Sequence, residues 1–86
     1  HLHRLHFDTV KLDQGFTRQM VDDPRSRAIV QAIVAMVGAL GADLIAEGVE
    51  TREQLELLRG MGCRYAQGYL IGKAESADDA LARWSA

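Results

Sequence analysis

Short apolar segments alternate with helical patterns three times along this chain, and this alternation constrains the fold more than any other feature. The apolar segments lie within 7–13, 44–46 and 63–73, and helical spacing follows each of them. Strands that alternate with helices pair in parallel, because the helix must cross the sheet before the next strand can begin. The pattern predicts an α/β fold with about three parallel strand–helix units, as in a doubly wound sheet or a section of a barrel.

Capping residues mark where the predicted helices begin. Asp23 before Pro24 is a typical start for the first long helix, and Thr51 with Gln54 has the capping-box pattern for the second. Gly62 is placed to end the second helix, and Ser76 with Asp79 suggests the start of a last one. Apolar residues at helical spacing predict buried faces, namely Ile29, Ile33, Met36 and Leu40, flanked by Val30, Val34 and Val37, then Leu55, Leu58 and Met61, then Leu81 and Trp84.

Bulk charge and apolarity exclude several kinds of partner. The formal net charge is -2, with 10 basic and 12 acidic residues interspersed, so no basic stripe is available for DNA or for an anionic membrane. No apolar run reaches the roughly 20 residues that a membrane span needs. The single cysteine, Cys63, excludes an internal disulfide and has the character of a small apolar residue near a strand start. These features favour a cytoplasmic protein.

Polar residues lie at the carboxyl ends of the predicted strands, where parallel α/β folds bind ligands. Glu47 directly follows the apolar segment 44–46, and Gly48 lets the backbone turn or approach a ligand closely. A carboxylate at this position can bind a hard cation or accept a proton from water, and a surface acid is the alternative. The Gln67 amide can bond a ligand or a metal-bound water, or it can close a turn.

Three further charged residues have both a functional and a structural interpretation. Lys11 lies in an apolar strand and needs a partner there, which Asp13 on the same side could be. A functional lysine would neutralise phosphate charge, whereas a structural one would lie at a sheet edge. Glu50 precedes Thr51, where the helix dipole stabilises a carboxylate by about 0.3 to 1 kcal/mol, so a helix-end role is sufficient for it.

The segments FDTVKLDQGF and LIAEGVETREQLELLRGMGCRYAQGYLIGK, with the helix between them, closely resemble the C-terminal portion of EAL domains, the bacterial cyclic di-GMP phosphodiesterases. The resemblance extends from about Leu2 to Lys73, and the separations of Lys-x-Asp, Ala-Glu-Gly-Val-Glu-Thr and Gln-Gly-Tyr make it specific. It implies a partial TIM barrel, about three units of an EAL-type (β/α)8 barrel. It also implies hydrolysis of cyclic di-GMP to pGpG, with Mg²⁺ or Mn²⁺ activating a water.

The resemblance implies a role for each candidate residue. Glu47 matches a glutamate that acts near the metals as ligand and proposed general base. Lys11 matches a lysine that contacts the attacking water and a substrate phosphate. The remaining matches are to residues that support the substrate or an active-site loop, and they are Asp13, Glu50 and Gln67.

The matched segment departs from the family in two places and lacks much of the family's site. Gln14–Gly15 replaces the usual Arg-Ser, and Ala74 stands where a proline is common. The Glu-Ala-Leu motif, a metal-binding asparagine, a further glutamate and paired aspartates all precede the matched segment in the family, which leaves Glu47 as its one metal ligand. Because one glutamate does not hold Mg²⁺ at useful affinity, residues 1–86 are expected to be an incomplete C-terminal fragment of a single EAL domain, inactive alone.

The expected partners follow from the same comparison. A closed barrel needs on the order of 200 residues, so a piece of this size leaves sheet edges that something must cover. The partners implied are cyclic di-GMP and either the remainder of the barrel or a second copy of the chain, as a homo-oligomer. Two other classes stay open: a degenerate, non-catalytic EAL-like module that binds cyclic di-GMP or a protein, and an inactive oligomerising fragment.

Overall fold

The computed structural model describes residues 8–68 and 72–85. Their elements in chain order are β1 Thr9–Leu12, α1 Gln14–Gln19, α2 Pro24–Ala39, β2 Asp43–Ala46, α3 Arg52–Met61, β3 Tyr65–Gly68, β4 Gly72–Ser76 and α4 Ala77–Ser85. The strands form one four-stranded sheet in the order β1-β2-β3-β4. The three predicted strand–helix units are therefore present. Among the described helices, none is long and apolar enough to cross a bilayer.

The first three strands are parallel, as the sequence predicts. Leu12 at the end of β1 lies opposite Ala46 at the end of β2, and Ala46 in turn lies opposite Ala66 of β3. Parallel strands in this register bring their carboxyl ends to one edge of the sheet. The residues that follow each strand are thereby brought to the same edge, although they are far apart in the chain.

The fourth strand corrects the prediction of a purely parallel sheet. β4 pairs antiparallel with β3, with Gly68 opposite Gly72. Residues 63–73 are predicted above as a single strand, although Gln67 and Gly68 interrupt the apolar residues of this segment. The two glycines are the signal that was overlooked, since paired glycines next to a strand mark a reversal of the chain. Tyr69–Ile71 lie outside the described residues.

Helix α1 is a second element that the sequence analysis missed. Asp13, which was predicted to share a strand face with Lys11, is instead the N-cap of α1, and its Oδ2 accepts from the Gly15 N–H at 2.9 Å. The helix has only 6 residues, which is too short for a hydrophobic period to show. Arg27 of α2 holds the C-terminal end of α1 by donating to the Met20 carbonyl at 3.0 Å.

Within residues 8–68 and 72–85, the helices cover one face of the sheet. On this face the strands contribute the buried side chains of Leu12, Leu44, Ala46 and Ala66 to the core, whereas Val10 at the edge of the sheet is 41% exposed. On the opposite face Lys11 is exposed, while Ile45 and Tyr65 are half-buried. A section of a barrel has this arrangement, because its outer face packs against helices and its inner face meets the other strands.

The wide apolar face predicted for α2 is only partly buried. Its valines Val30, Val34 and Val37 pack in the core, whereas Met36 and Leu40 are 57% and 68% exposed and Ile29 is also exposed. Both sets of residues follow helical spacing, and they differ by a rotation about the helix axis. Periodicity alone does not tell which part of a wide apolar arc contacts the sheet.

The predicted helix ends are confirmed. Asp23 caps α2, Thr51 and Gln54 form a reciprocal capping box on α3, and Gly62 ends α3 with φ 99°. The Ser76 hydroxyl accepts from the Asp79 N–H at 3.1 Å at the start of α4. The Leu81 side chain is buried, and that of Trp84 lies outside what the structure describes.

Cys63 lies between α3 and β3, near the strand start as predicted. It is 3% exposed, with its Sγ 3.5 Å from the Tyr65 carbonyl oxygen. Burial raises the pKa of the Cys63 thiol above its ordinary value, which keeps the sulfur protonated at neutral pH. It behaves as a core residue.

Thr17 of α1 offers a test of the packing. It is fully buried, and its hydroxyl has no partner within the part of the chain that is described. Because such a hydroxyl costs about 1 to 3 kcal/mol, Thr17→Val should raise the free energy of unfolding by about 1 kcal/mol in urea denaturation. The matched variant Thr51→Val removes a helix cap and should lower the free energy of unfolding by about 1 kcal/mol. Equal changes in the two variants would contradict this account.

Candidate active site

The carboxyl ends of β1, β2 and β3 meet at one cavity of about 460 Å³. Four of the five candidate residues named from the sequence lie in its wall, and Lys11 contacts one of them. Residue Gln14, which the sequence analysis did not name as a candidate, also lies there. The full lining is Asp13, Gln14, Glu47, Gly48, Glu50, Gln67 and Gly68.

Lys11 pairs with Glu47 across β1 and β2. Its Nζ is 3.8 Å from the Glu47 Oε2, and the two side chains are 61% and 37% exposed. Lys11 lies opposite Ile45, so Glu47, two residues further on, points to the same face of the sheet. The predicted pairing of Lys11 with Asp13 is thus wrong, because Asp13 turns away to cap α1.

This ion pair is more informative about chemistry than about stability. Exposed pairs at such a distance contribute about 0 to 1 kcal/mol, so folding alone does not require it. The Glu47 backbone N–H donates to the Leu12 carbonyl at 3.0 Å, which holds the residue at the strand end. A carboxylate held firmly by its backbone, with a lightly engaged side chain, can exchange its ammonium partner for a ligand.

The loop from Glu47 to Glu50 is held from both sides. Gly48 has φ 73°, and a Cβ on it would overlap the Cβ of Gln14, so both conformation and space require glycine. On the other side, Val49 is fully buried and donates its N–H to the Gln67 carbonyl at 3.0 Å. The loop that carries the two glutamates therefore has one well-defined path.

Glu50 joins this loop to α3. Its backbone N–H donates to the Gln54 Oε1 at 2.7 Å, and the neighbouring Thr51 N–H donates to the same oxygen at 3.1 Å. The Glu50 residue is exposed and lines the cavity just before the positive end of the helix. This position suits the loop-support role, which stays a prediction, as do the roles of the other candidate residues.

The oxygen atoms in the cavity wall are of the type that a hard cation binds, but the described residues do not supply enough of them in one place. Carboxylates line the cavity at Asp13, Glu47 and Glu50, and amides at Gln14 and Gln67, and these oxygens are of the type that Mg²⁺ and Mn²⁺ prefer. Within residues 8–68 and 72–85, however, no three acidic, histidine or cysteine side chains are close enough together to hold a metal ion. Further ligands would have to come from outside these residues.

Fold and site together define a class of protein. Parallel strands covered by helices on one face, with acidic and amide groups at their carboxyl ends, are a section of a TIM barrel with its ligand-binding edge. The EAL domain family model matches residues 1–74, and the chain belongs to this family.

Two curated relatives from Pseudomonas aeruginosa illustrate the similarity. The cyclic di-GMP phosphodiesterase PA2567 is 37% identical over 86 residues, which covers 96% of this chain and 15% of the relative. The cyclic di-GMP phosphodiesterase RocR is 45% identical over 67 residues, which covers 78% of this chain and 17% of the relative. The chain thus spans less than a fifth of either relative.

Solved structures show the same fold. The PaMucR phosphodiesterase in complex with c-di-GMP superposes with a TM-score of 0.72 at 40% identity, covering 86% of this chain and 30% of that chain. The EAL domain of Mycobacterium smegmatis DcpA superposes with a TM-score of 0.71 at 36% identity, covering 91% of this chain and 35% of that one. The fold class predicted from the sequence, a partial EAL-type barrel, is confirmed.

Proposed function

We propose that this chain is the C-terminal part of a single EAL domain, and that the complete domain hydrolyses cyclic di-GMP to pGpG. One observation supports this most strongly: Glu47, Glu50 and Gln67 line one cavity at the carboxyl ends of the parallel strands, with Lys11 paired to Glu47. The relatives PA2567 and RocR are named as cyclic di-GMP phosphodiesterases, and they are 37% and 45% identical to this chain over 86 and 67 residues.

The chemistry assigned to the described residues is hydrolysis of one phosphodiester. Water adds to phosphorus and gives up a proton, for which the Glu47 carboxylate is the proposed acceptor. The bond from phosphorus to one ribose oxygen breaks, and that oxygen takes up a proton from bulk water to become a free hydroxyl. Lys11, 3.8 Å from Glu47, offsets the charge that develops on the phosphate oxygens. Asp13 and Glu50 hold the backbone around the site, and Gln67 offers an amide to the ligand.

A divalent metal completes this proposal. Mg²⁺ or Mn²⁺, when bound, lowers the pKa of a water and neutralises phosphate charge. Glu47 is the residue of this chain that we propose as a ligand, because it is half-buried at a strand end and faces the cavity. The remaining ligands are proposed to come from the rest of the domain.

The rest of the domain is also the proposed partner of the open sheet. Among the described strands β1 lies at one edge, and the described residues cover the sheet face of Lys11 and Ile45 incompletely. In the absence of the other strands, two copies of the chain would pair to cover these surfaces. Light scattering of the isolated chain tests this, and a well-behaved monomer would contradict it.

The buried, protonated Cys63 suits the reducing cytoplasm in which we place the protein.

The deciding experiment is an assay of the full-length protein with cyclic di-GMP and Mn²⁺ or Mg²⁺. We expect conversion to pGpG, which chromatography of the nucleotides would detect. Binding of cyclic di-GMP without conversion would overturn the catalytic proposal in favour of a non-catalytic binding module. Absence of both binding and conversion would overturn the proposed ligand as well.

Lys11 allows a more specific test of the site. We expect Lys11→Ala to lower kcat/KM for cyclic di-GMP on the order of 10²-fold, because the charge that offsets the phosphate is lost. Lys11→Arg keeps that charge and should recover part of the loss. Arg25→Ala, which removes an exposed cation at the start of α2, is the control and should leave kcat/KM unchanged. Equal rates for Lys11→Ala and Arg25→Ala would remove Lys11 from the site.

A further inference from the structure

Gln14 lines the cavity but has no part in the chemistry described above. It is the first residue of α1, is exposed, and follows directly on the Asp13 cap. A Cβ built on Gly48 would lie 3.3 Å from the Gln14 Oε1, so the carboxamide is folded over Gly48. It therefore lies beside the loop that carries Glu47 and Glu50, at the place where a ligand in the cavity would meet it.

The charges around Gln14 make this position important for the binding of an anion. The cavity wall holds the carboxylates of Asp13, Glu47 and Glu50. Among the described residues, Lys11 supplies the one ammonium beside them. The wall is therefore net negative where the proposed ligand brings two phosphodiester anions. Under such conditions, each charge added to or taken from the wall changes the affinity for an anion, most strongly at low salt.

We propose that Gln14 contacts the dinucleotide and determines how strongly this wall binds its phosphates. A carboxamide can donate a hydrogen bond to a phosphate or a base edge without adding positive charge. Gln14–Gly15 is also where this chain departs from the Arg-Ser that the EAL resemblance implies. The neutral residue supplies a hydrogen bond but no positive charge, so the wall remains net negative apart from Lys11. This inference rests on the proposed function, because it takes cyclic di-GMP as the ligand.

The test compares two charge-adding variants in the full-length protein. Gln14→Arg should lower KM and Kd for cyclic di-GMP about tenfold at low salt, and it should make both more sensitive to salt. Gln14→Glu should weaken binding by a similar factor. Gln31→Arg adds the same charge at an exposed position of α2 outside the cavity wall, and it should leave both constants within twofold of wild type.

The outcomes separate this inference from the proposed function. If the wild-type protein binds or hydrolyses cyclic di-GMP while Gln14→Arg and Gln31→Arg give the same Kd and the same salt dependence, Gln14 does not contact the ligand. A weaker affinity in Gln14→Arg would also overturn the inference. If neither the wild type nor any variant binds cyclic di-GMP, both the inference and the proposed function fail.

Discussion

Glu47→Gln in the complete domain is expected to lower the turnover of cyclic di-GMP by about 10³-fold while the domain stays folded. Glutamine has nearly the same shape, so the strand end and the loop after it should keep their path. It loses the negative charge that pairs with Lys11 at 3.8 Å and that we assign to metal binding and proton transfer. The rate should fall, whereas the free energy of unfolding should change little, because an exposed ion pair contributes about 0 to 1 kcal/mol.

Glu53→Gln is the matched control for this prediction. Glu53 lies in the first turn of α3, six residues further along the chain, and it is exposed outside the cavity wall. Circular dichroism and urea denaturation of both variants would establish that the fold is kept, and a steady-state assay would compare their rates. Turnover by Glu47→Gln within about twofold of that of Glu53→Gln would remove Glu47 from the chemistry.

Gly68→Ala is expected to have the largest effect on the fold. An added Cβ would lie 2.5 Å from the Val49 nitrogen and 2.8 Å from its carbonyl carbon, and still closer to its oxygen. These are backbone atoms of a fully buried residue, so they cannot rotate away as a side chain would. Forcing them apart should cost about 3 kcal/mol of unfolding free energy, at the upper end of typical overpacking.

The same change should also disable the site. The hydrogen bond from the Val49 N–H to the Gln67 carbonyl, 3.0 Å long, would be stretched or lost. Gln67 and the loop that carries Glu47 and Glu50 would then shift apart. A displacement of about 1 Å in a catalytic group can lower a rate on the order of 10²-fold. We therefore expect activity to fall even at temperatures where Gly68→Ala remains folded.

Gly60→Ala is the control for added volume. Gly60 lies within α3, and a Cβ there meets nothing within 4 Å. This replacement should raise the free energy of unfolding by about 0.5 to 1 kcal/mol, because alanine favours the helix and loses less entropy on folding. Urea denaturation of the two variants gives the comparison. A Gly68→Ala variant as stable as Gly60→Ala would show that the close contact with Val49 is relieved without cost.

Together, these residues show how part of a barrel can carry part of a site. The backbone of the loop after β2 is held by Gln14 of α1 on one side and by the end of β3 on the other. Each contact joins segments that are far apart in the chain. Changes in α1 or at Gly68 should therefore alter the Glu47 position without touching Glu47 itself.

The amino-acid sequence by itself determined the features that depend on neighbouring residues. The Asp23, Thr51 and Ser76 caps are where local patterns predicted them, since a cap bonds to N–H groups two or three residues away. The place of Glu47 at a strand end follows from the apolar residues just before it. The parallel order of the first three strands also follows from their alternation with helices.

The tertiary structure alone decided which distant residues meet. Lys11 has Glu47 as its partner rather than Asp13, because parallel pairing places β1 beside a strand that follows a 16-residue helix. Gln14 enters the cavity wall through α1, a helix too short to leave a period in the sequence. The rotation of α2 and the reversal into β4 likewise depend on what each element packs against. Local patterns predict elements and their ends, whereas contacts between elements depend on register and packing, which no short window of sequence contains.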